Sequence, residues 1–215
     1  MSGICATLHR VCSGLRLFSF PFDERMIPLN GIYVLFEEGE RAHGERRIVR
    51  VGTHTGNNQL RSRLRQHFID SNKDRSIFRK NIGRALLNHN HDPFLAQWEL
   101  DLTTNEAKRK HGGTLDLEKQ SFVEQRVSEY IQRAFRFIVF AVENKAMRLD
   151  LEARIISTVS LCRECGPSEG WLGLDSPKTK IRESGLWLVN ELYGEPLSDT
   201  DWPKLGCAHR REHLA

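Results

Sequence analysis

The sequence predicts a small α/β (α+β) fold: a three-stranded, mainly antiparallel sheet flanked by helices, with a helical insertion and a C-terminal extension. Three stretches carry that reading. GIYVLF (31–36) and RIVRVG (47–52) are rich in β-branched and aromatic residues and flank the charged, glycine-containing EEGERAHGER, a hairpin pattern. In NNQLRSRLRQHF (57–68), Leu60, Leu64 and Phe68 recur every fourth residue, as on the buried stripe of a helix. FRFIVFAV (135–142) is apolar enough for a central strand.

At 215 residues the chain is long enough to bury a proper core within one insertion-bearing domain. Residues 1–26 read as a lead-in, with a strand or short helix around Leu15–Phe20 docking on the core. The segment interrupts its apolar residues with Arg10 and Arg16, which argues against a signal peptide or membrane span and for a cytoplasmic protein. The core then spans 27–160. If the hairpin pairs symmetrically about its loop, Tyr33 stands opposite Arg50, and both side chains point to one face. Arg63 and His67, four apart, stack on a second face of the following helix.

A further basic helix is expected at roughly 75–88, with Ile77, Ile82 and Leu86 inward. That leaves Arg75, Arg79, Lys80 and Arg84 for solvent or phosphate, and Arg61 and Arg65 join them as candidate nucleic-acid contacts. The overall charge of +4 is modest, but residues 41–80 hold eleven Lys/Arg against three acids, which points to a polyanionic partner over the competing reading of a solvated charged face. Two helices, at 94–112 and 116–133, form the insertion, the second with Phe122, Val123, Val127, Tyr130 and Ile131 in register. After the strand at 135–142, a helix over roughly 148–160 sets Leu149, Ile156 and Val159 inward. Glu152 falls on that same stripe, where a carboxylate costs several kcal/mol unless it is paired or bound to a cation. Residues 161–215 read as an extension packed on the core and anchored by Trp171 and Trp187. Cys162 and Cys165 have metal-ligand spacing, and Cys207 with His209 would complete a four-ligand zinc site; reduced cysteines are the simpler alternative.

These residues resemble the GIY-YIG nuclease superfamily, named for two strand motifs followed by a helix with an Arg and, four residues on, a His. Gly31-Ile32-Tyr33 stands as the first motif, Arg50-Val51-Gly52 as the second, and Arg63 and His67 as the helix pair. Arg50 occupies the position where the family name has tyrosine. The resemblance implies a metal-dependent endonuclease acting on DNA, with Glu152 holding one Mg²⁺ (Mn²⁺ as substitute) and Arg63 bracing the scissile phosphate. Tyr33 would orient or deprotonate the attacking water beside His67, with Arg50 adding a phosphate contact. A tyrosine base needs nearby cations to favour its phenolate, and Arg63, Arg50 and the metal are the candidates. The alternative from another class is a non-catalytic nucleic-acid-binding module that keeps the fold. Monomer and homodimer are both open.

Overall fold

The register of the hairpin decides where the site residues stand, and a bulge decides the register. In the computed structural model, which describes residues 2–111 and 113–206, β2 (Gly31–Ala42) pairs antiparallel with β3 (Glu45–Gly52). Tyr33 faces Gly52 and Leu35 faces Arg50, while Phe36 faces Ile48, so Val49 is the extra residue of a β-bulge. The expected Tyr33–Arg50 pairing is therefore displaced by two residues. Because the side-chain period of a strand is also two, Arg50 keeps the face of Tyr33. The carbonyl freed at the bulge is not left bare: Trp187 donates its N–H to Val49 O at 2.7 Å.

The sheet has four strands rather than three. Phe18–Ser19 (β1) adds to the edge of Phe135–Ala141 (β4), giving the order β1-β4-β2-β3 with each pair antiparallel. The strand or short helix expected around Leu15–Phe20 is this two-residue strand, and it joins the sheet as a fourth strand because it pairs with the edge of β4. Both faces are covered. Tyr33, Leu35, Phe135 and Phe137 pack with α2 (Leu60–Phe68), α3 (Ile77–His89) and α6 (Leu117–Ala134) through Leu64, Phe68, Phe78, Ile82, Val127 and Ile131. Ile32, Val34, Ile48, Val51 and Phe140 pack on the other side with α1 (Ser2–Ser13) and α7 (Lys145–Ser160) through Leu8, Leu151, Ile155 and Val159. Each such side chain contributes roughly 1.5–3 kcal/mol on burial. The lead-in thus supplies a whole helix as well as a strand.

α3 starts where Ser76 caps it, accepting from Arg79 N–H at 3.2 Å. Of the three residues expected inward, Ile82 is buried and Leu86 packs on the core, but Ile77 does not. Ile77 is 45% exposed, whereas Arg79, Lys80 and Arg84 are buried. Arg79 is paired with Glu124 at 2.7 Å and Arg84 with Glu99 at 2.5 Å, and Lys80 donates to Glu99 O at 2.9 Å. Lys73 and Arg47 are likewise buried against Asp74 and Glu40. Much of the basic run is interior wiring, matched by carboxylates from distant segments, and not a free cationic rim. We expect Arg84→Met to cost about 1.5–3 kcal/mol by urea denaturation, the range for hydrogen bonds to charged groups. The same variant should leave the salt dependence of nucleic-acid binding unchanged, because a paired, buried arginine releases no counterions.

The insertion is less regular than expected. Its first part breaks into α4 (Leu95–Trp98) and α5 (Asn105–His111), and Phe122 on α6 is exposed. Trp98 instead fills a close contact with α3: a Cβ on Gly83 would lie 2.3 Å from its ring. In α7, capped by Asn144, Leu149 faces solvent while Leu151 and Ile155 form the inward stripe with Ile156 and Val159. α8 (Thr179–Ser184) follows in the C-terminal part, where Trp171 and Trp187 both donate to the buried Glu37 carboxylate, at 2.7 and 2.8 Å. Among the described residues no helix is long and apolar enough to cross a membrane.

Candidate active site

Tyr33 is brought to α2 by the hairpin, and the close approach requires glycine beside it. A Cβ on Gly52 would sit 2.2 Å from the Tyr33 hydroxyl. The phenol lies 2.7 Å from His67 Nε2, and His67 Nδ1 lies 2.7 Å from Ser76 Oγ. Tyr33, His67 and Ser76 therefore form a buried line of three proton-carrying groups from sheet to helix cap. Burial, with the charges of Arg50, Arg63 and Arg79, pushes the His67 imidazolium well below the ordinary range, so His67 is neutral at physiological pH. A neutral imidazole can take a proton from the phenol through Nε2.

That shift has a consequence for stability. The unfolded imidazole protonates near pH 6.5 and the folded one only below that, so in this window the unfolded state binds more protons. Stability from His67 is complete above pH 6.5 and is lost as pH falls through the window. We expect the urea midpoint of the wild type to drop between pH 7 and pH 5 more steeply than that of His67→Gln. The difference is bounded by about 1.4 kcal/mol per pH unit for one proton.

Glu152 stands on α7 at the end of β3, half-buried, with Oε1 accepting from Thr53 N–H at 3.0 Å. Thr53 Oγ1 in turn donates to Gly31 O at 2.7 Å, which ties the ends of both motif strands to this carboxylate. Burial raises the Glu152 carboxyl above its usual value, opposed by the charge of Arg50, the Thr53 N–H and the charge of Arg63. The carboxylate is thus held by a backbone donor and two nearby positive fields, where a buried salt bridge was the alternative. The charges of Arg50 and Arg63 thus act on both His67 and Glu152. Arg50 donates to Trp187 O and lies over the Phe78 ring, 5.1 Å from its centroid; its buried Nε has no partner among the described residues. Arg63 donates to Gln66 Oε1 at 3.1 Å and to Arg75 O at 3.2 Å.

A cleft of about 270 Å³ opens between the end of β3 and α2, lined by Thr53, His54, Thr55, Gln59, Ser62, Arg63 and Gln66. His54 was not singled out from the sequence. Its Nδ1 is engaged by Gly56 O at 2.7 Å, and its Nε2 is buried with no partner among the described residues. Burial lowers its imidazolium. The only sequence signal for it is its place two residues after Gly52. Of the expected nucleic-acid contacts, Arg65 and Arg75 are exposed and Arg61 half-buried, whereas Arg79, Lys80 and Arg84 are withdrawn as described. Arg65 is partly engaged with Glu24 at 2.8 Å, and Arg61 with Ile27 O at 2.8 Å.

The donor set fits a hard divalent cation. Such an ion prefers oxygen ligands, needs few carboxylates and keeps several waters. With Oε1 occupied by Thr53, Glu152 keeps its second oxygen for such an ion, and Thr53 also stands in the wall of the polar cleft. Searches of curated proteins and of solved structures gave no match to the chain. A family model described as the GIY-YIG domain matches residues 3–200, which include both strand motifs, the α2 pair and Glu152. With a match of that extent, and an antiparallel sheet carrying the motifs on adjacent strands, the chain belongs to the GIY-YIG domain family.

Proposed function

We propose that this protein is an endonuclease that hydrolyses phosphodiester bonds in DNA, with Mg²⁺ (or Mn²⁺) on Glu152. The reading is supported by the buried Tyr33–His67–Ser76 line together with a carboxylate whose hydrogen-bond donor among the described residues is the Thr53 N–H. A module that merely bound nucleic acid would have no use for either. Bound there, a hard divalent cation supplies positive charge against the phosphate and acidifies a ligated water.

The chain's own residues do the rest. Arg63 faces the cleft with a planar fork suited to a phosphate's oxygens, and its contacts to Gln66 and Arg75 O hold that fork in place. Arg50, its Nε unpartnered, adds a second positive field in a dry setting where charge acts strongly. Neutral His67 accepts the Tyr33 proton at Nε2 and is steadied at Nδ1 by Ser76, so the phenol oxygen can orient the attacking water or accept its proton. The neutral amides and hydroxyls of Gln59, Ser62 and Thr55 line the approach.

The test is incubation with supercoiled plasmid. Conversion to nicked or linear DNA with Mg²⁺, blocked by EDTA, is expected. Plasmid that is bound but left intact in both Mg²⁺ and Mn²⁺ would contradict the proposal and favour the non-cleaving module. In the binding arm, Arg63→Ala should lower the slope of log affinity against log salt by about 0.9, the value for one lost phosphate contact on duplex DNA.

A further inference from the structure

A second cluster of ligand-type side chains lies away from the cleft, on the α1 side of the sheet. Cys5, His9, His43 and Cys165 bring their ligand atoms within 4.8 Å of one another. They come from four places in the chain: Cys5 and His9 are one turn apart on α1, His43 is at the turn of the β2–β3 hairpin, and Cys165 ends the 3-10 turn after α7. Cys5, His9 and Cys165 are almost fully buried and His43 half-buried. Neither Cys5 nor Cys165 is in a disulfide.

The spacings match a tetrahedron around a small cation. With Zn–S near ~2.3 Å and Zn–N near ~2.05 Å, the edges of a regular tetrahedron are about 3.8 Å for S···S and about 3.5 Å for S···N. Cys5 Sγ to Cys165 Sγ is 3.5 Å, Cys165 Sγ to His43 Nε2 is 3.5 Å and Cys165 Sγ to His9 Nε2 is 3.9 Å. Both imidazoles are oriented as metal ligands are. His9 Nδ1 is 2.9 Å from Cys5 O, and His43 Nδ1 is 3.3 Å from a Glu164 carboxylate oxygen, so each ring can donate from Nδ1 and present its Nε2 lone pair to the cluster; at His9 that lone pair takes a long contact from Ile48 N–H, 3.4 Å, which an ion would displace. Fixing the outer nitrogen on a carbonyl or carboxylate is how proteins set the tautomer of a ligating histidine. Two soft thiolates and two imidazoles select zinc over the hard cations that suit Glu152.

We propose that Cys5, His9, His43 and Cys165 hold a structural zinc ion that clips α1, the hairpin turn and the segment after α7 together. Binding displaces the two thiol protons to solvent and leaves the imidazoles neutral, so a closed tetrahedral site carries no net charge. Cys162 Sγ lies 3.3 Å from His43 Nε2 but outside the four-member set, and it is assigned a neighbouring role only. This revises the zinc set expected from the sequence, Cys162, Cys165, Cys207 and His209. Of those, Cys207 and His209 lie outside the described residues. The inference is independent of the reading of the cleft.

The full-length chain, purified reduced from zinc-supplemented culture and desalted, should contain one equivalent of zinc by elemental analysis. Mercurial titration of its thiols should release that zinc, and chelation should lower the thermal midpoint. Cobalt substituted for zinc should show the intense visible bands of a tetrahedral thiolate site. The ion should be lost in Cys5→Ser/Cys165→Ser and retained in Cys162→Ser, in Cys207→Ser/His209→Ala and in Glu152→Gln. A wild-type chain that takes up no zinc, or one whose intact mass shows a Cys5–Cys165 disulfide instead, would overturn the proposal without reference to any variant. So would zinc retained in the double serine variant, or lost in Cys162→Ser.

Discussion

Glu152→Gln should abolish the proposed cleavage while leaving fold and DNA binding in place. The amide keeps the size of the side chain and can still accept from Thr53 N–H through its oxygen, so the joint between α7 and the end of β3 survives. What disappears is the negative charge that, in the proposed function, holds the cation. Losing several kcal/mol of charge stabilisation at the phosphate corresponds to a rate loss of at least ~10³-fold. Stability should not suffer. Burial raises the Glu152 carboxyl, so in the ion-free fold its contribution is complete in acid, below the unfolded value, and is lost as pH rises through the folded value. A neutral amide avoids that loss near pH 7. The same shift means that wild-type cleavage should need more Mg²⁺ as pH falls, because protons compete for the carboxylate. The checks are single-turnover cleavage and a DNA-binding isotherm on the same preparation. Wild-type cleavage by the variant would remove Glu152 from the site.

The second large effect is expected at Tyr33→Phe. The ring can keep its place over Gly52 and its edge contact with His67, whose centroid lies 5.4 Å away, so packing is preserved. The hydroxyl that meets His67 Nε2 is gone, and with it the proton path, for which general acid–base catalysis sets a loss of about 10²–10⁴-fold. A buried imidazole nitrogen left unpaired should also cost about 1–3 kcal/mol of stability. DNA affinity and its salt slope should not move, since the phenol is buried and carries no cation. A phenylalanine variant with wild-type single-turnover rates would show that the Tyr33–His67 contact is structural only.

Much of the fold was legible because it rests on local rules. β-branched and aromatic runs on either side of a charged loop marked both hairpin strands, a continuous apolar run marked β4, and the fourfold recurrence of Leu60, Leu64 and Phe68 marked α2. The errors lie where distant segments decide. The bulge at Val49 is stabilised by Trp187, well over a hundred residues on in the chain, so no local pattern announces it. Arg79 and Arg84 read as solvent-facing because their partners, Glu124 and Glu99, become neighbours only once the insertion folds over α3. At the site, the motifs singled out Tyr33, Arg50, Arg63, His67 and Glu152; of these the fold puts Tyr33 and His67 in hydrogen-bond contact and brings the charges of Arg50 and Arg63 to bear on both His67 and Glu152. His54 and Ser76 were missed because a loop histidine and a capping serine are ordinary until their neighbours are known. The cysteine and histidine cluster needed residues 5, 9, 43 and 165 brought together, which spacing cannot show.

The central claim is that the scissile phosphate is held between a hard cation on Glu152 and the Arg63 guanidinium. The direct test replaces one non-bridging oxygen of that phosphate with sulfur, which Mg²⁺ ligates poorly and the softer Mn²⁺ accepts. Single-turnover cleavage of one phosphorothioate diastereomer should fall by more than ~10-fold in Mg²⁺ and recover in Mn²⁺, roughly the value of a lost metal contact of at least 1.4 kcal/mol. Rates that are equal in the two metals for both diastereomers would contradict a metal-bound phosphate in this cleft.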